Sequence, residues 1–114
     1  MLTLTLAGAA RAAECPATLS DKAAFDCITR AKATAEAALA AEERAWPNTE
    51  PMQRAHAAFL DFRDAQCRAE AMTALPKASG DLDHLVYDLG CQEQLSEERT
   101  AQLRRLRGLA KSYR

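Results

Sequence analysis

The chain has 114 residues, a formal net charge of −1 and four cysteines. That length holds one core rather than two, and the near-neutral charge argues against a general attraction to nucleic acid or to anionic membrane. Apolar residues reach 48% but aromatics only 5%. Much of the apolar share is alanine, which buries little area per residue, so a core this thin in a chain this short calls for covalent staples.

Residues 2–10 form a short apolar run, and Ala10-Arg11-Ala12 fits a small-x-small cleavage site. No Lys or Arg precedes the run, which is far shorter than the ~20 residues that span a bilayer. The expectation is a signal-peptide remnant over 1–13 and one domain over 14–114. Glu14 stands where a lipidated cysteine would need a small residue before it. Eleven residues separate Cys15 from Cys27, and twenty-three separate Cys67 from Cys91. With no C-x-x-C, the spacing of zinc ribbons and thioredoxin-type sites is missing. Structural disulfides follow, and with them an oxidising compartment, periplasmic or secreted.

The first predicted helix starts at Ser20, a good N-cap, with Asp21 placed to complement the macrodipole. Helix formers then continue to Trp46, and Pro47 stops them. Pro47-Asn-Thr-Glu-Pro51 reads as a tight connector, with Asn48 or Thr49 capping a second helix that tolerates Pro51 in its first turn. That helix runs to about Leu75, and its apolar face is read as Ala55, Phe59, Phe62 and Ala69. Pro76 to Asp81 is the second connector, where Gly80 is expected to supply backbone freedom. Asp81 is expected to cap a third helix carrying Leu85, Leu89, Leu95, Leu103, Leu106 and Tyr113, with fraying at Gly108. No segment alternates like a half-buried strand. The fold class is therefore all-α: an antiparallel three-helix bundle, its helices about 26 residues each, or roughly 39 Å.

Cys67 and Cys91 are symmetric about residue 79, and Cys27 and Cys67 about Pro47, so three cysteines are expected at one level of the bundle. Local reach favours Cys15–Cys27 with Cys67–Cys91. The pairing Cys27–Cys67 with Cys15–Cys91 remains the competitor. A loop of the Cys67–Cys91 size is worth on the order of 3 kcal/mol.

Further motifs stand in a distinctive order. Cys15-x11-Cys27 is followed by Phe59-x-x-x-Arg63-Asp64-x-x-Cys67-x-x-Glu70-Ala71, then Tyr87-x-x-x-Cys91 and Leu95-Ser96-x-x-Arg99-Thr100-x-x-Leu103. From Cys15 to Leu103 this resembles the LprI-type lysozyme-inhibitor family of small secreted or periplasmic helical proteins. Phe59 stands where that family usually has Trp, and His56 where it usually has Gln. The resemblance implies a helical fold and binding of a protein partner, lysozyme in the case of the family's namesake.

Catalytic chemistry finds little support. Adjacent helical residues point about 100° apart, so Arg63 and Asp64 are not expected to converge on one atom. Arg63 is read as an interhelical tether to Glu70 or to an acid on the third helix, with a similar role for Arg99. His56 and His84 are isolated. Asp81, Asp83, His84 and Asp88 lack the alternating ligand order of a calcium loop, so neither a metal nor another cofactor is expected. Nucleophile–base pairs and glycine-rich phosphate loops are missing, and a cysteine consumed in a disulfide is no nucleophile. A monomeric binding protein, not an enzyme, is the reading.

Charge is segregated along the third helix. Asp81, Asp83, Asp88, Glu93, Glu97 and Glu98 come first, and Arg99, Arg104, Arg105, Arg107, Lys111 and Arg114 follow. Macrodipole complementarity explains the signs. A functional reading makes Ser79, Gly80, Asp81, Asp83 and Asp88 an acidic tip that steers a basic protein such as lysozyme. An alternative docks Arg104, Arg105, Arg107 and Lys111 on anionic lipid or lipopolysaccharide phosphates.

Overall fold

The computed structural model describes Cys15 and residues 21–113. The expected signal remnant, the Ser20 cap and Arg114 lie outside the described residues. Three helices follow in order: α1 (Asp21–Arg44), α2 (Glu50–Ala74) and α3 (Asp81–Lys111). They are unequal, at 24, 25 and 31 residues, so α3 is longer than the sequence reading allowed.

Local chemistry sets the boundaries. In α1, Asp21 lies in the first turn and Arg44 in the last, each opposite in sign to the helix end it occupies. The last turn closes with Ala45 N–H donating to Glu42 O (3.0 Å) and Trp46 N–H to Glu43 O (3.2 Å), after which Pro47 cannot continue the ladder. Thr49 is the N-cap of α2, its hydroxyl accepting from the Met52 N–H at 3.3 Å, and Pro51 sits in the first turn where no donor is missed. Leu75, pushed to extended backbone by Pro76, ends α2.

At the start of α3 two expectations fail. Gly80, not Asp81, is the N-cap, and it makes no side-chain cap bond. Asp81 is the first helical residue and acts on the macrodipole instead. Gly80 has φ −69°, a backbone that any residue adopts, and nothing lies within 4 Å of a Cβ added there. Its glycine identity is not required by the turn. Gly108 does not interrupt α3 either, because the ladder continues to Lys111.

Side-chain links give the topology. Arg63 reaches Glu36 and Ser96, His56 meets Glu43, and Arg107 meets Glu42. The register therefore runs up-down-up: α1 and α3 are parallel, and α2 is antiparallel to both. α3 packs on both partners. The disulfides close Cys15–Cys27 (Cα–Cα 5.9 Å) and Cys67–Cys91 (5.5 Å). The first pins the lead-in of α1 to its second turn, and the second staples α2 to α3.

The seam is built of small residues. Among the described residues, Ile28, Leu39 and Leu103 are the only large aliphatic side chains fully buried, each worth about 1.5–3 kcal/mol. Ala31, Ala35, Ala71 and Cys67 fill the rest and let the helices approach. Glu42, Arg63, Glu93, Ser96 and Thr100 are also buried, so the middle of the bundle is polar.

The buried stripe of α2 is Arg63, Cys67 and Ala71, not the face read from its apolar residues. Phe59 is half-buried, but Phe62 is 55% exposed and Ala69 is exposed. On α3, Leu85 and Leu106 are exposed while Leu103 is in the core, and Tyr113, expected on this helix, lies beyond its end and is exposed.

Candidate functional site

The stretch richest in polar motifs is a structural clasp. Arg63 Nη1 donates to Glu36 Oε2 and to Ser96 Oγ, both at 3.1 Å, so one buried guanidinium joins all three helices. Its partner is thus an acid on α1, not Glu70 and not an acid on α3. Arg63 Nε also donates to Asp64 Oδ1 at 2.9 Å, the long arginine arm folding back on its neighbour. Asp64 is exposed and completes the charge balance around Arg63 from the solvent side.

Glu70 serves elsewhere, accepting from the Tyr87 hydroxyl at 3.4 Å and from Gln66 at 3.0 Å beside the Cys67–Cys91 bridge. Arg99 tethers α3 to α2 through the face of Phe59, 5.6 Å from the ring centroid, while Nη1 donates to Gln102. These residues hold the helices together.

Two ends remain. Because α1 and α3 are parallel, both begin at the same end, beside the second connector. There Asp21 and Asp83 line one cleft of about 310 Å³ whose floor is Ala24, Leu75, Leu82 and Val86. Ser79 and Tyr87 complete it. Of the sequence-derived tip, Asp81 and Asp83 are exposed and Ser79 is half-buried. Asp88 is half-buried, with Gln92 donating to it at 2.9 Å. The three acids do not form one surface, since two residues along a helix turn a side chain by about 200°, which puts Asp81 and Asp83 on different faces. Asp21 is the acid that joins Asp83, and the sequence reading had assigned it only to capping. The signal for it was topological, because an up-down-up order brings the starts of α1 and α3 together.

His84 Nδ1 lies 3.1 Å from Gly80 O, and His56 Nδ1 lies 3.2 Å from Glu43 Oε2. Among the described residues no group of three or more His, Cys, Asp and Glu is placed to hold a metal, and no helix is long and apolar enough to cross a membrane.

At the opposite end, the buried Glu42 accepts from Arg107 Nε (2.7 Å) and Nη2 (3.0 Å), with Arg104 at 3.5 Å. The Arg107 hydrogen bonds hold the Glu42 carboxyl below its ordinary value of 4.5 against the opposing effect of burial. The same contact raises Arg107. Two of the cations read as a free basic patch are therefore engaged within the bundle.

Beside this pair, two cavities of about 600 and 520 Å³ flank Trp46 and share Pro47 and Met52. The indole Nε1 is buried without a hydrogen-bond partner, a state that costs about 1–3 kcal/mol. Sequence reading treated Trp46 only as a helix end.

No curated protein matches the chain, and no solved structure does. The family model described as Lysozyme inhibitor LprI matches residues 9–103. With most of its length covered, disulfides in place and the helical clasp formed by the residues that carry the motif, this chain belongs to the lysozyme inhibitor LprI family.

Proposed function

We propose that the protein is an exported binding module that inhibits a lysozyme by non-covalent docking through the end where α1 and α3 begin. The observation that carries this reading is the cleft in which Asp21 and Asp83, from different helices, rim an apolar floor. Such a surface suits a basic partner: carboxylates steer the encounter, and the apolar floor accepts the aliphatic stem of a lysine or arginine. Family membership names lysozyme as the partner class. Cys15–Cys27 lies near the start of α1, at this end, and Cys67–Cys91 ties α3 to α2. They also suit a periplasmic or secreted location.

The test is lysozyme turnover with oxidised protein, reduced protein and the double reversal Asp21→Lys, Asp83→Lys. Inhibition by the oxidised form alone, lost in the reversal, is the expected result. If the oxidised protein fails to inhibit several lysozyme types, the lysozyme reading is wrong. Inhibition that survives the reversal leaves lysozyme as the partner and moves the contact to another face.

A further inference from the structure

The back of α2 carries a second apolar stripe, turned away from the bundle. Ala58, Phe62, Ala65, Ala69 and Met72 recur at spacings of four and three, and all five are exposed. Half-buried Ala55 extends the pattern by one position. At about 100° per residue, the mean direction of the five is roughly 180° from that of the buried Arg63, Cys67 and Ala71. Phe62 and Met72 are the large members, 55% and 71% exposed. Alternating three-four spacing over about 26 Å of helix is the seam of a coiled coil, which takes another helix. We propose that this helix is the α2 of a second copy of the chain, lying antiparallel in a weak symmetric dimer, in place of the monomer read from the sequence.

Charge and bulk both select that occupant. Asp61 and Arg68 flank the stripe on one side, seven residues apart and both exposed. Neither makes an ion pair or hydrogen bond among the described residues, and Asp64, one turn before Arg68, is taken by Arg63. An antiparallel copy sets Asp61 against Arg68 of the second copy, and two-fold symmetry repeats the pair. A parallel copy would set Asp61 against Gln66 and Arg68 against Thr73, with no charge match. Side-chain size agrees with the same register. Aligning Asp61 with Arg68 puts Phe62 over the hole between Ala65 and Ala69 of the second copy, and Met72 over the hole between Ala55 and Ala58. In a parallel pair Phe62 would meet Phe62 and Met72 would meet Met72, which leaves the alanine layers unfilled. Alanine contributes little buried area, so the dimer belongs with the weak interfaces.

Sedimentation velocity from about 1 μM to about 1 mM, the range of weak specific pairs, should show monomer passing to dimer. Ala65→Glu, at an exposed position in the middle of the stripe, should keep the chain monomeric throughout. Asp61→Arg should weaken the dimer severalfold by bringing like charges together, and adding Arg68→Asp to it should restore the affinity. Far-UV circular dichroism checks that each variant folds. The proposal is overturned by a wild type that stays monomeric at the highest concentration, or by association that Ala65→Glu leaves intact. It is equally overturned by an Asp61→Arg variant that dimerises like wild type, or by a double reversal that does not regain what Asp61→Arg lost. A monomeric wild type whose Ala65→Glu variant no longer inhibits lysozyme would assign the stripe to that partner and overturn the dimer.

Discussion

Arg63 and Ser96 meet at 3.1 Å in the middle of the bundle, and Ser96 is fully buried. The same Nη1 also holds Glu36 of α1, so a single nitrogen sets the spacing of three helices. A buried charge is tolerated only when paired, and removing one partner leaves the others to bear the desolvation. Arg63→Ala is expected to cost about 3–5 kcal/mol, which for a domain near this size lowers Tm by well over 10 °C. Ser96→Ala leaves Arg63 paired with Glu36 and Asp64, and should cost only about 1 kcal/mol. Thermal unfolding of the two variants separates a hub from a chain of equal links. Equal losses would show that Arg63 draws no support from α1.

Phe59 and Phe62 look alike in sequence and differ in place. Phe59 is half-buried under Arg99, whereas Phe62 is 55% exposed. Phe62→Ala should change stability by less than about 0.5 kcal/mol, as for a surface position. Phe59→Leu keeps most of the apolar bulk but removes the aromatic face, and should lose about 0.5–1 kcal/mol or slightly more from the cation–π contact. Urea midpoints of the two variants, together with Arg99→Met in a double-mutant cycle with Phe59→Leu, measure the coupling directly.

What could be read from sequence was what depends on neighbours along the chain. Pro47, Thr49, Pro51 and Pro76 mark helix ends through backbone sterics and capping, and the helices begin and end there. The face of α2 was misread because its buried stripe carries Arg63, Cys67 and Ala71, whose burial comes from pairing, a disulfide and close approach rather than hydrophobicity. Apolar periodicity selects Phe62, one residue out of phase. Glu42 was passed over for a similar reason: its partner Arg107 is sixty-five residues away, and only a parallel α1–α3 packing brings them together. That packing also joins Asp21 to Asp83.

Glu42 gives the bundle an acid-sensitive point. Its folded carboxyl is held below the ordinary 4.5 by Arg107, so the unfolded chain binds a proton more readily than the folded one. The stability from this pair is fully present above the unfolded value and is lost as pH falls through the depressed folded value. Wild type should therefore lose stability progressively below about pH 4.5 through this group. Glu42→Gln should start from a lower Tm at pH 7 and show a shallower decline. Tm measured from pH 7 to 3 for both proteins reads the difference. Parallel curves would place the acid response at other carboxylates.

The two bridges close loops of different length, with sequence separations of 12 and 24. If chain entropy in the unfolded state dominates, opening Cys67–Cys91 by a double alanine substitution should cost on the order of 3 kcal/mol. Opening Cys15–Cys27 should cost only about 0.6 kcal/mol less, since the penalty grows with the logarithm of loop length. Function should divide them differently. Cys15–Cys27 lies at the end that carries Asp21, so its removal should weaken lysozyme inhibition more than its stability cost implies, measured below the Tm of each variant. Removing Cys67–Cys91 should leave inhibition near wild type wherever the variant is folded, because Glu70, Tyr87, Arg63 and Ser96 still register α2 against α3. Salt completes the test. Steering by Asp21 and Asp83 is screened within a Debye length of ~8 Å at physiological ionic strength, so inhibition should fall steeply as salt is raised. An inhibition constant that holds steady from low to high salt would exclude the acidic cleft as the docking surface.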